Sequence, residues 1–277
     1  MVHTKMNEKL RGPFAVLMTP FVGGRVDKDA YLAQISRLNK SGVSGYVTNG
    51  STSEFVQLSL DEQMEITAWT ASHKSVNKRL VVSACTGNLV DTVRLCKHAG
   101  NIGADAALVC PPYYFKYTTN EREEYFMEIA DLSPVPIFLY NIPFFTQELE
   151  LSVVYRLLEY PNIIGIKDSS ANMKRLEHLV EKTQDIPVNI FTGTDDILFP
   201  ALAGGVVGSM TAFATIYPDT VCGIYKAVQE GNYKRAKELQ FSMMAALREA
   251  DGATFPVGYK KLMEQVSGIP FGDKEVL

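Results

Sequence analysis

Eight short apolar, β-branched runs recur along the chain, at 14–19, 44–49, 80–85, 106–110, 136–140, 163–167, 188–191 and 206–210. Each is followed by a turn rich in Gly, Asn or Ser and then by a longer stretch of helical period. The runs are apolar almost throughout rather than strictly alternating, as a strand covered on both faces requires. The intervening stretches carry helix signals. Asp27 precedes a stripe of Tyr31, Leu32, Ile35 and Leu38 that stops at Gly42, which reads as a C′ residue. Ser59–Glu62 and Thr118–Glu121 have capping-box spacing, Asn88 and Ser170 read as N-caps, and Pro218 suits a first helical position. The seventh helix must be short because Gly204-Gly205 interrupts it, and two further helices follow near 232–249 and 255–266.

Eight strand–helix units in succession predict an α/β fold, a (β/α)8 TIM barrel over 14–230 with a C-terminal helical extension over 231–277, in one domain. A doubly wound sheet is the competing architecture, but it usually has fewer strands, and no GxGxxG follows the first run. The 277 residues carry a formal charge of −4, and no basic tract is long enough to follow a phosphate backbone, so nucleic acid is not an expected partner. No apolar stretch approaches the roughly 20 residues that span a bilayer, and the N-terminus lacks an apolar signal-peptide core. Cys85, Cys96, Cys110 and Cys222 show no CxxC spacing and read as reduced thiols of a cytoplasmic protein.

In such a barrel, reactive groups sit at the C-terminal ends of strands. Lys167 directly follows Ile163-Ile164-Gly165-Ile166, which places an ammonium among apolar neighbours at the barrel mouth. Lost solvation favours the neutral amine; moving its pKa from about 10.4 to nearer 7–8 takes roughly 4 kcal/mol of differential solvation. A neutral amine can attack a ketone and form a Schiff base, although the position also suits a lysine that snorkels to water. Tyr140 ends the preceding strand, so barrel order makes it a lateral neighbour able to shuttle protons. Gly50-Ser51-Thr52, in the turn after the second strand, offers amides and hydroxyls to a small carboxylate, or is merely a polar loop. The four histidines, His3, His73, His98 and His178, fall in the N-terminal tail or in predicted helices, with no HxH or HExxH spacing. No metal site and no cofactor is therefore expected.

The motifs Met18-Thr19-Pro20-Phe21, Gly50-Ser51-Thr52-x-Glu54, Pro112-Tyr113-Tyr114, Tyr140-Asn141-Ile142-Pro143, Gly165-Ile166-Lys167-Asp168 and Gly193-x-Asp195 stand in order along the chain. By these the chain resembles, from end to end, the N-acetylneuraminate lyase/dihydrodipicolinate synthase family of Schiff-base aldolases. The resemblance implies a (β/α)8 barrel that is a homotetramer, a dimer of dimers. It makes Lys167 the Schiff-base lysine and Tyr140 the proton-transfer tyrosine. Ser51 and Thr52 would hold the keto-acid carboxylate, with Thr52 as the hydroxyl that joins the proton relay and Tyr114 completing that relay across a dimer interface. Phe145, Ser169, Asp195 and Asp196 would line the region that selects the aldehyde half, and Gly50, Gly193 and Met210 would also bind substrate.

Two departures narrow the resemblance. Dihydrodipicolinate synthases carry an arginine for the aldehyde's second carboxylate where this chain has Phe145, and a phenyl ring cannot make that charge-assisted fork. Ser53 replaces the family's usual glycine, and Ala212 stands where neuraminate lyases present a hydroxyl. The expected function is that of a lyase cleaving a 2-keto acid, such as a 2-keto-3-deoxy sugar acid, to pyruvate and an aldehyde. Alternatives are a dihydrodipicolinate synthase-like condensation, an N-acetylneuraminate lyase, a 2-keto-3-deoxy acid dehydratase, or a catalytically silent keto-acid-binding protein.

Overall fold

A computed structural model of the chain describes residue 8 and residues 10–272. The readings made for the N-terminal tail, His3 included, and for residues 273–277 of the extension lie outside the described residues. All eight apolar runs form strands: β1 Gly12–Val16, β4 Gly45–Thr48, β5 Arg79–Ser83, β6 Ala106–Val109, β7 Ile137–Asn141, β8 Ile163–Asp168, β9 Asn189–Thr192 and β10 Gly208–Thr211, with a small hairpin, β2 Phe21–Val22 and β3 Arg25–Val26, after the first. They close into one parallel barrel in which β1 pairs with both β4 and β10. The helices packed around it are α1 Lys28–Asn39, α2 Leu60–His73, α3 Leu89–Asn101, α4 Thr119–Leu132, α5 Leu151–Leu158, α6 Met173–Thr183, α7 Leu198–Ala203, α8 Phe213–Ile216 and α9 Pro218–Gln229. Two C-terminal helices follow, α10 Tyr233–Asp251 and α11 Val257–Ser267.

Local signals account for most helix starts. Asp27 accepts the amide of Ala30, Asn88 that of Asp91, and both capping boxes form. Two caps differ from expectation. Helix α1 ends at Asn39 in a tight turn, with the amides of Lys40 and Ser41 closing on Arg37 and Leu38, so Gly42 falls beyond the C′ position. Helix α6 is capped by Asn172 rather than Ser170, because the Ser170 amide and hydroxyl are both taken by the Asp168 carboxylate.

Alternate residues face inward or outward along each strand. In β7, Phe138 and Tyr140 face the barrel interior, while Ile137 and Leu139 join the layer under the helices. In β8, Ile164 faces inward and Ile166 outward, so the regular two-residue period is broken, and it is broken by a bulge: Ile137 pairs with Ile163, yet Phe138 pairs with Gly165. The extra residue reverses the phase of the strand and brings Lys167 opposite Tyr140, inside the barrel. Gly165 makes this possible, since a Cβ there would stand 2.0 Å from the Asn189 carbonyl oxygen and 2.8 Å from the Phe138 ring. Below the lysine, Phe191 meets Phe14 and Phe138 edge-on, with centroids 5.7 and 5.5 Å apart, and fills the barrel.

Gly165→Ala is therefore expected to cost about 3 kcal/mol or more, since backbone of two strands would have to separate. Urea unfolding checks this; a loss under about 1 kcal/mol would show that the strand tolerates a Cβ at the bulge.

Candidate active site

At the C-terminal mouth of the barrel lies a cavity of about 560 Å³. It is lined by Lys167, Tyr140, Ser51, Thr52, Phe145, Ser169, Gly193, Asp195, Asp196 and Met210, which is every residue expected at the site except Gly50 and Tyr114. Lys167 is 3% exposed, its Nζ donating to the Tyr140 hydroxyl at 3.3 Å and standing 4.3 Å from the centre of that ring. Burial lowers its pKa to about 8, opposed by the nearby Cys85 and Asp195. Burial likewise raises the Tyr140 pKa, opposed mainly by its contact with Ser51. The amine is thus half-neutral near pH 8 and carries a minor neutral fraction at physiological pH, and the phenol keeps its proton.

Of the two neighbouring hydroxyls it is that of Ser51 whose Oγ stands 3.4 Å from the Tyr140 hydroxyl, while Thr52, expected to join the relay, lines the same cavity. Ser51–Ser53 form one 3₁₀ turn. Ser53 bonds back to the Gly50 carbonyl and Glu54 to that of Ser51, leaving the first two amides of the turn, Ser51 and Thr52, as those its own geometry does not satisfy. Gly50 stands outside the cavity: its amide is taken by Ser53 Oγ at 3.1 Å, and a Cβ there would press on Val16 at 2.7 Å. Ser53, read from sequence as bearing on the substrate, is structural, since its hydroxyl also donates to the Leu17 carbonyl and its own carbonyl accepts from Thr19. Tyr114 is 92% exposed, edge-on to Phe115, and does not reach the cavity of its own chain.

Gly193 makes room: a Cβ there would stand 1.9 Å from Ser169 Oγ and 2.6 Å from Lys167 Cε. Ser169 Oγ and Asp195 Oδ1 are buried without a hydrogen-bond partner, both on residues that line the cavity. The other Asp195 oxygen accepts the amide of Phe213 at 3.2 Å. Burial raises the Asp195 pKa to about 7, against the Thr211 hydroxyl and Phe213 amide that favour its charge.

Sequence reasoning missed two groups. The first holds the tips of β7 and β8 together. Asp168 Oδ2 accepts from Asn141 at 2.9 Å and from Arg175 Nε at 2.7 Å, and Arg175 also donates to the Leu149 carbonyl. This buried network flanks Tyr140 and Lys167 on the outward side of the same two strands. The second comes from the C-terminal helices: Leu247, Asp251, Phe255 and Tyr259 line the cavity, with Phe255 5.5 Å from Phe145 and the Tyr259 hydroxyl bonded to Asp251 at 2.5 Å. Gln240 pins that region to the barrel by donating to the Asp195 carbonyl at 2.9 Å. Ala212 lines the cavity as a methyl group, as its sequence position implied.

The sequence profile of the dihydrodipicolinate synthetase family matches residues 9–273. The chain belongs to that family. It is therefore a member of a family of pyruvate-dependent carbon–carbon lyases and synthases. It is 33% identical over 252 residues to 4-hydroxy-tetrahydrodipicolinate synthase of Methanothrix thermoacetophila, covering 90% of this chain and 85% of that one. Among solved structures, dihydrodipicolinate synthase from Aquifex aeolicus superposes with a TM-score of 0.90 at 27% identity, covering 97% of this chain and 91% of that one. YagE, a prophage protein of the same family from E. coli K12 solved in complex with pyruvate, superposes with a TM-score of 0.89 at 28% identity, with coverage of 97% and 91%. No helix among the described residues is long and apolar enough to cross a membrane.

The Asp195 pKa is raised from 3.8 to about 7, so the native state gives up stability as pH rises between those values. Asp195→Asn is expected to unfold later than wild type at pH 8, by up to about 4 kcal/mol, and to show no such gain at pH 4. Urea midpoints at the two pH values measure this, and an equal gain at both would contradict the burial argument.

Proposed function

We propose that the chain is a pyruvate-dependent class I aldolase that forms its Schiff base on Lys167 and makes or breaks a carbon–carbon bond at C3 of the keto acid. The observation that carries this reading is the buried Lys167 Nζ, 3.3 Å from a Tyr140 hydroxyl that is itself 3.4 Å from Ser51 Oγ. The neutral amine attacks the C2 carbonyl of pyruvate, and the carbinolamine loses water as the iminium forms. Tyr140, relayed through Ser51, supplies the proton that lets hydroxide leave as water. The Tyr140 phenolate left by that step takes a C3 proton to give the enamine, which adds to an aldehyde carbonyl while Tyr140 passes the proton on to the new alkoxide. Hydrolysis of the iminium then frees the product and the lysine. In reverse, Tyr140 takes the C4 hydroxyl proton and the iminium accepts the electrons of the breaking C3–C4 bond. Ser51 and Thr52 hold the carboxylate, and the phenol of Tyr114, exposed on its own chain, serves a neighbouring subunit's relay.

The condensing direction has the support of the relatives, which are named 4-hydroxy-tetrahydrodipicolinate synthases. Cleavage of a hydroxylated 2-keto-3-deoxy acid with no charge beyond its keto-acid carboxylate is favoured by a separate observation. Lys167 is the one cation among the residues lining the cavity, while Asp195, Asp196 and Asp251 supply carboxylates and Phe145 and Phe255 an apolar wall. An aldehyde bearing its own carboxylate would meet three acids there and no cation besides the Lys167 that holds the keto acid.

Borohydride with pyruvate is expected to fix a reduced adduct on Lys167, by peptide mass mapping. The trapping rate should rise with pH and level off above about 8, as the amine loses its proton. Lys167→Ala should abolish trapping, and Tyr140→Phe should keep it while slowing turnover by about 10²-fold or more. No adduct, or one on another lysine, would leave a keto-acid-binding protein. Incubating pyruvate separately with a carboxylate-bearing semialdehyde and with glyceraldehyde distinguishes the two acceptor readings by product mass.

A further inference from the structure

We propose that the buried Glu54–Lys260 ion pair is a positioning clasp, which holds the carboxylate-receiving turn against the C-terminal helices and thereby sets the affinity of the site for keto acid. The inference rests on the reading of Ser51 and Thr52 as the carboxylate site. Glu54 directly ends their turn, its amide bonded to the Ser51 carbonyl at 3.0 Å. Its backbone is left-handed, with φ +57°, a conformation a non-glycine residue keeps only where its surroundings enforce it. Two contacts hold it: Glu54 Oε1 accepts from Lys260 Nζ at 2.7 Å and Oε2 from Gln57 at 2.9 Å.

Lys260 is 1% exposed on α11 and lies outside the substrate cavity. Its ammonium also donates to the Gly272 carbonyl at 2.9 Å and stands 4.7 Å from the centre of the Phe21 ring, so one charge gathers four separate segments. The neighbouring Tyr259, on the same helix, lines the cavity. The pair thus joins the two halves of the site, the barrel turn below and the C-terminal wall above. A buried charge stripped of its partner is strongly disfavoured, so loss of either member displaces the turn rather than leaving it in place.

The test compares wild type with Lys260→Met, Glu54→Gln and the double variant, reading the pyruvate concentration for half-maximal borohydride trapping together with thermal stability. Each folded variant is expected to need at least fivefold more pyruvate, with the trapped fraction at saturation and the pH midpoint unchanged. The double variant, which buries no lone charge, should regain most of the thermal stability lost by the single ones and keep the weakened affinity. Leu157→Ala, in the core under α5, supplies a comparably destabilised control whose half-saturation should not move. A folded variant within twofold of wild type, or a control that shifts equally, overturns the clasp. On the wild type, trapping should slow hydrogen exchange in both 50–57 and 257–267, and protection confined to the first would overturn it without any variant. Wild-type protein that traps no pyruvate overturns the functional reading and the clasp with it; normal wild-type trapping with unmoved variants overturns the clasp alone.

Discussion

A single extra residue in one strand decides which way the reactive amine points. With strict alternation, a β8 strand that turns Ile164 into the barrel would turn Lys167 out of it, beneath the helices. The bulge opposite Ile137 and Phe138 reverses that phase, and the pairing of Tyr140 with Lys167 follows from it. The outward-facing neighbours gain as well, since Asn141 then pairs with Asp168, and their side chains bond at 2.9 Å. The Tyr140–Lys167 pair and the buried network that holds the two strand tips are inner and outer consequences of the same slip.

The environment so created is costly for charge and useful for chemistry. Lys167 and Asp195 are both displaced by burial toward their neutral forms, to about 8 and about 7. Neither has the compact ion partner that Asp168 finds in Arg175 or Glu54 in Lys260. The Asp168 and Glu54 carboxylates are each paired with a cation and further bonded, whereas Ser169 Oγ and Asp195 Oδ1, at the cavity, keep unused bonding capacity. This contrast separates the carboxylates of the molecule by role more clearly than residue type does.

The sequence made the strands, the capping boxes and most of the cavity lining legible, because each is signalled locally: apolar runs, hydroxyl–carboxylate spacing and polar residues at strand ends. The phase of β8 was not, since Ile164 and Ile166 are both apolar and either could face the core. The distinction between Ser51 and Thr52 was equally hidden, because adjacent hydroxyls in a 3₁₀ turn differ only in the direction they point. Ser170 looked like a cap until its hydroxyl was drawn to Asp168, a contact that depends on the strand end next to it. Phe255 and Tyr259 lie far from any strand end in sequence, and only the docking of α10 and α11 brings them to the mouth.

The aromatic stack of Phe14, Phe138 and Phe191 beneath the lysine has a consequence for traffic. A barrel plugged at that level gives the amine no back door. Under the proposed reaction, the water expelled as the imine forms would leave by the passage that the acceptor enters, between Phe145 and the C-terminal helices. For the proposed reaction the shape of the molecule would thereby set an order of arrival, the keto acid seating and shedding its oxygen before its reaction partner roofs it over.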